Sequence, residues 1–255
     1  MARMPACFVA HGAPLVAIEP ARGAPLTAWA AALPRPRAIL IFSAHWEAPL
    51  AVGQTRQHDA LVYDFGAGLP RALFAQTWPA PGAPGLADRV EALLGPRTVA
   101  RADRGLDHGA WTVLLRMFPD ADLPTLQVSL PRGASEAELI DLGRALAPLR
   151  DEGVLLIGSG NLVHNLRALD PTERRPPEPW AVAFDAWIAE QVERGDLDAL
   201  ADWRARAPSP DLAHPTDEHL RPLFVILGAG AGGRPSWPLV GFEHGSTSRR
   251  CLQLD

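Results

Sequence analysis

The sequence contains no lysine, so all 24 basic side chains among its 255 residues are arginine. That absence excludes Schiff-base chemistry and a phosphate-cradling P-loop, both of which need the lysine ammonium. Cysteine is nearly as scarce: Cys7 and Cys251 are too few for a disulfide framework. No C-x-x-C pair occurs, which removes the common structural zinc modules. H-E-x-x-H is missing, and with it the usual zinc-peptidase helix. A G-x-S-x-G nucleophile elbow is also missing, and Gly158-Ser159-Gly160 resembles one only superficially. No apolar run approaches the roughly 20 residues of a membrane span. Met1–Ala10 holds one arginine and a short apolar stretch that runs straight into His11, so no signal peptide is read.

What remains is ordinary globular composition. Hydrophobic residues make up 47% and charged residues 21%, which excludes disordered and fibrous classes. A net charge of −5 argues against nucleic acid or an anionic membrane as the main partner. The length suits one large domain or two small ones, and one domain over residues 1–255 is the reading. These features predict a soluble, cytoplasmic protein, a monomer or small homo-oligomer.

Short apolar runs at Ala6–Ala10, Ala38–Ser43, Thr125–Leu130 and Val154–Ile157 read as buried strands. Helical patterns lie at Leu86–Leu94, ending at Gly95, and at Trp111–Phe118. Another covers Ser135–Leu149, where Ser135 and Glu138 have capping-box spacing. Trp180–Val192, Asp196–Trp203 and Asp217–Leu227 also read as helices, the last capped by Thr216 or Asp217. Trp237–Phe242 and Arg249–Leu254 read as closing strands, and the proline-rich Asp170–Pro179 as a surface loop or boundary. Alternation at this spacing predicts an α/β fold with a mostly parallel or mixed central sheet covered by helices on both faces.

The histidines fall at element ends. His11 and His45 each close a predicted strand, His164 follows another, and His108 and His219 stand at helix starts. In open α/β sheets, ligands bind beyond the carboxyl ends of the strands. A lone histidine is most often a surface or satisfied core residue, but five so placed point to one pocket. Buried imidazoles need partners, and a metal with supporting acceptors supplies them. Imidazoles with nearby carboxylates suit Zn(II) or Fe(II). His58, His214 and His244 lack this placement and read as surface or supporting residues. Cys7 sits inside a strand and reads as structural.

The segments MPACFVAHGAP, AILIFSAHW, GLDHGAWTVLLRMFPDADLPTLQVSL, VLLIGSGNLVHNL and HPTDEHLRPLF run through nearly the whole chain. In this order they resemble the 4,5-DOPA extradiol dioxygenase family, a branch of the class III (LigB-type) extradiol ring-cleavage dioxygenases. The resemblance implies a single divalent metal, a catechol-type substrate and O2. It implies His11 and His45 as metal ligands, with His219 closing the site. It implies His164 and His108 as the other active-site histidines. The roles of His164 and His219 stay interchangeable at this stage, His164 being either the acid/base or a fourth ligand. Fe(II) is expected in the active form and Zn(II) in protein as isolated, because such sites favour zinc. One departure is visible: where the family often reads DFGGFP, this chain has Asp64-Phe65-Gly66-Ala67-Gly68-Leu69-Pro70, which leaves Leu69 without an aromatic ring.

Trp46, Phe65 and Trp111 lie beside the motif histidines and are expected as walls for the substrate ring, with core packing the favoured role for Trp111. Two rivals accompany the dioxygenase reading. Zn(II) on three histidines could activate water in a hydrolase. A binding protein could keep the fold and pocket without catalysis.

Overall fold

The computed structural model describes residues 3–95 and 100–255. An eight-stranded sheet forms its centre, in the spatial order β4-β3-β5-β2-β6-β1-β10-β7. The strands are β1 (Ala6–Ala10), β2 (Ala38–Ala48), β3 (Ala51–Val52), β4 (Ala100–Arg101), β5 (Thr125–Pro131) and β6 (Val154–Gly160). The chain closes with β7 (Pro235–Leu239), β8 (Phe242–Glu243), β9 (Thr247–Ser248) and β10 (Cys251–Leu254). β8 and β9 pair as a separate hairpin.

The sheet is mixed. β5, β2, β6 and β1 run parallel. β10 pairs antiparallel to β1, and β7 antiparallel to β10. Each central strand is buried on both faces, as near-continuous apolar runs require. Alternate side chains divide the core: Ile39, Ile41, Leu155 and Ile157 face one layer, while Leu40, Phe42 and Leu156 face the other. The first layer is covered by α1 (Pro20–Ala32) and α3 (His108–Met117). The second is covered by α2 (Pro84–Leu94), α4 (Glu136–Leu146) and the helix Arg221–Ala229.

Local chemistry sets the start of α4. Ser135 Oγ accepts from the Glu138 N–H while the Glu138 carboxylate accepts from the Ser135 N–H, forming the capping box at α4. The buried Arg150 guanidinium donates to the carbonyls of Met4, Ala229 and Leu254, tying the start of β1, the end of a helix and β10 together. The two cysteines are buried and unbonded to each other, with burial pushing the Cys251 thiol up to about 11. No helix among the described residues is long and apolar enough to cross a membrane.

Four features differ from the sequence reading. α1 carries Pro25 inside it, and its alanine-rich face gives little periodicity, so no element was expected there. β2 runs on to Ala48, and its register against β5 slips between Phe42 and Glu47. His45 therefore lies within an irregular stretch of strand, not at its end. The last long helix starts at Arg221 instead of Asp217, with Pro222 in its first turn, where a proline has no N–H to lose. Asp217 caps neither terminus by side chain but receives the N–H groups of Leu220 and Arg221 at its carbonyl. His58 and His214 are buried, not at the surface, each hydrogen-bonded to a backbone carbonyl, of Thr125 and Leu162.

Candidate active site

The carboxyl ends of β2, β6 and β1 lie side by side, and the site is built there. Ala10 ends β1 and delivers His11, whose N–H donates to the carbonyl of Gly160 at the end of β6. Beyond Gly160, the Asn161 N–H donates to the carbonyl of His219 at 2.9 Å. A Cβ on Gly160 would stand 2.1 Å from that same carbonyl oxygen, so only glycine lets the His219 backbone approach this closely. Gly12 adopts φ +58°, and a Cβ there would stand 2.1 Å from the Glu243 carboxylate. The slipped stretch of β2 turns His45 toward the same point.

His11, His45 and His219 each place a ring nitrogen within 4.8 Å of the others. The distal nitrogens of His11 and His219 are hydrogen-bonded, and that of His45 faces a carboxylate. Ser159 Oγ donates to the carbonyl of Gly109 at 2.5 Å, so its hydroxyl oxygen is left to accept from His11 Nδ1–H at 2.9 Å. The Glu218 carboxylate accepts from His219 Nδ1 at 2.8 Å. Asp64 lies 3.7 Å from His45 Nδ1. The Ser159 and Glu218 acceptors place the protons of His11 and His219 on Nδ1 and leave their Nε2 lone pairs free. His11 Nε2 and His45 Nε2 face one another across 3.3 Å, a separation that two nitrogens bound to one cation can adopt. The donor set thus fits one divalent ion.

Burial and the neighbouring imidazoles hold His11 and His219 far below the ordinary histidine range. Burial and His108 push His45 down to about 3. All three are therefore neutral near pH 7, as ligands must be.

His108 and His164 flank this trio. The His108 ring centroid lies 3.8 Å from that of His45. Its Nδ1 and its backbone N–H both donate to Asp64 Oδ1, at 2.9 Å each. Burial raises the Asp64 carboxyl, but the bonds from His108 outweigh it and leave it at about 2. Asp107 caps α3 from beneath through the Ala110 N–H and so fixes the turn that carries His108. His164 stacks on His219 with centroids 3.4 Å apart and planes at 14°. Burial pushes it down to about 4.

All five histidines line one cavity of about 620 Å³. Phe65 and Leu69 supply part of its apolar wall, as do Leu15, Leu166 and Leu169. Trp46 and Trp111 do not line it, which corrects the expected place of Trp46 as a ring wall and leaves Trp111 in the core role favoured for it. Trp46 lies under the Arg104 guanidinium at 5.2 Å. Trp111 is fully buried behind Tyr63 and Phe65, its indole N–H donating to Val62. Sequence reasoning missed Asp64, Ser159, Glu243 and His244. Asp64 is 44 residues from His108 and Ser159 is 148 from His11, so spacing carried no signal for either.

A family model for the catalytic LigB subunit of aromatic ring-opening dioxygenase matches residues 14–249. The chain is 38% identical to 4,5-DOPA dioxygenase extradiol of Escherichia coli K12, across 99% of this chain and 95% of that protein. It is 39% identical to 4,5-DOPA dioxygenase extradiol of Beta vulgaris, across 87% of this chain and 85% of that one. The crystal structure of an uncharacterized Escherichia coli K12 protein superposes with a TM-score of 0.85 at 36% identity, covering 99% of this chain and 100% of that one. With the fold, the histidine-lined cavity and these relatives in agreement, the chain belongs to the LigB family of aromatic ring-opening dioxygenase catalytic subunits.

Proposed function

We propose that this protein is a metal-dependent extradiol dioxygenase that opens the ring of a catechol-type aromatic with O2 and places both oxygen atoms in the product. The observation that carries the reading is the trio His11, His45 and His219, whose ring nitrogens converge while the Nδ1 atoms of His11 and His219 are held by acceptors. These three side chains would hold the ion, Fe(II) in the active form and Zn(II) in protein as isolated. When bound, the ion supplies a Lewis acid for the catechol oxygens and a redox centre for O2.

The protein's own residues supply the rest. Neutral His164 is a base for a catechol proton, because burial keeps its ring unprotonated near pH 7. Its stacking on His219 puts it beside the ligand set, within reach of a bound catechol. His108 presents Nε2 as an acceptor, since its Nδ1–H is committed to Asp64. Once protonated, its charge is balanced by that carboxylate. Phe65, Leu69 and the leucines of the wall receive the ring and exclude water.

Anaerobic loading with Fe(II), followed by a screen of substituted catechols, tests this. Yellow ring-opened product with one O2 consumed per catechol is the expected result. Hydrolysis of an ester or amide without O2 uptake would favour the zinc hydrolase. Bound Fe(II) with no turnover of any catechol would favour a binding protein.

A further inference from the structure

His45 and His219 sit on segments far apart in the chain, and one buried side chain joins those segments. Arg221 follows shortly after His219 and opens the helix Arg221–Ala229. Its side chain is only 6% exposed. Its Nε lies 2.8 Å from Oε1 of Glu47, which follows shortly after His45 on β2. One terminal nitrogen donates to the Pro131 carbonyl at the end of β5, at 2.9 Å. The other lies 3.9 Å from the Asp217 carboxylate, in the turn before His219. A planar guanidinium fork can meet three such partners at once, which a compact ammonium does less well. Neither Glu47 nor Arg221 lines the histidine cavity.

The place where this fork lands gives it a role beyond packing. β2 and β5 pair in register up to Phe42 and Val128, then resume at Glu47 and Leu130. Over that interval β2 contains more residues than β5, and the surplus carries His45. A bulge re-aims the side chains on it, and its shape depends on the pairing that resumes beyond it. Glu47 is the residue where pairing resumes, and Ala48 then pairs with Pro131. Arg221 grips both strands there, through the Glu47 carboxylate and the Pro131 carbonyl. Arg132 adds a bond to the Glu47 carbonyl at 3.0 Å. At its other end Arg221 is fixed by its backbone N–H, which donates to the Asp217 carbonyl across the turn that holds His219.

We propose that the Glu47–Arg221 ion pair is a positioning strut, which holds the bulge of β2 against the turn bearing His219 and so sets the spacing of two metal ligands. It rests on the reading of His11, His45 and His219 as the ligand trio, and the test keeps the two apart. A buried pair of this kind adds little net stability, because desolvation offsets the attraction. Replacing both partners by uncharged side chains of similar size is therefore tolerated, whereas loss of Arg221 alone leaves a carboxylate unpaired.

The experiment compares the unaltered protein with Arg221→Met and with the double variant Glu47→Gln, Arg221→Met. Competition with a chromophoric chelator gives the Zn(II) affinity. The visible spectrum of Co(II)-loaded protein reports the ligand geometry, and urea midpoints of metal-free protein report stability. Arg221→Met should bind Zn(II) about 10–100-fold more weakly, the usual cost of losing a group that orients ligands, and should unfold at lower urea. The double variant should regain the urea midpoint but not the affinity, and its Co(II) bands should stay shifted. If Arg221→Met fails to fold, the double variant alone decides. A Zn(II) affinity that rises and falls with the urea midpoint through the series would overturn the proposal, since the pair would then act on the fold as a whole. So would a double variant with the affinity and Co(II) spectrum of the unaltered protein. His45→Ala and His219→Ala are measured alongside. If they bind Zn(II) as tightly as the unaltered protein, the trio reading fails and the strut with it; if they lose Zn(II) while the double variant keeps it, the strut alone fails.

Discussion

His11 Nδ1 lies 2.9 Å from Ser159 Oγ, and Ser159 in turn donates to Gly109, the residue after His108. One hydroxyl therefore sets the tautomer of a ligand and braces the turn that carries a second active-site histidine. Ser159→Ala removes the acceptor and frees the ring to rotate. Metal affinity should fall about 10–100-fold, the usual cost of losing such a partner. Titration with a chromophoric chelator reads this directly. Unchanged affinity would mean that the orientation of His11 is set elsewhere.

His164→Ala should keep the metal and lose roughly 10²–10⁴-fold in turnover, the range for a positioned base. His219→Ala should lose the metal. Metal analysis beside steady-state rates distinguishes them. The reverse pattern would exchange the two roles, and full rate in His164→Ala would make that histidine structural.

Gly160→Ala places a methyl against the His219 carbonyl, where a Cβ would stand 2.1 Å away. The neighbour is backbone, so something larger than a side chain must move. A loss of about 1–3 kcal/mol or more in stability is expected, with reduced metal occupancy. Urea unfolding and metal analysis of the same sample check both.

Metal-free protein should weaken in acid. Burial holds His214 and His164 at about 4 and, with His108, His45 at about 3, against 6.5 for ordinary histidine. The folded state then binds fewer protons than the unfolded chain below pH 6.5. Their contribution is present above that pH and is lost as pH falls toward 4. Each such histidine costs about 1.4 kcal/mol per pH unit in this window. Urea midpoints at pH 7 and pH 5.5 measure it, and equal stability at both would contradict the burial account.

The parts of the fold that sequence reveals are those with local causes. β1 is a five-residue apolar run bounded by His11-Gly12, and α4 announces itself by Ser135 and Glu138. α1 is hidden because alanine gives it no apolar stripe and Pro25 argues against a helix. The slip in β2 is hidden because it depends on pairing with β5, 80 or more residues away. At the site, the five histidines are legible as a group because each stands at or near an element end. Their acceptors are not, since Ser159 and Asp64 meet their partners only through the packing of β6 and α3 against β1 and β2. Trp46 misleads for a related reason: a neighbour in sequence along a strand points to another face.

The most direct test of the central claim is the fate of labelled oxygen. Fe(II)-loaded protein is given, under ¹⁸O2, a catechol that it turns over, and the ring-opened product is weighed by mass spectrometry. The account predicts a product carrying both atoms from O2, and none from His45→Ala. A product without ¹⁸O, its oxygen drawn from water, or ring opening that survives His45→Ala unchanged, would contradict it.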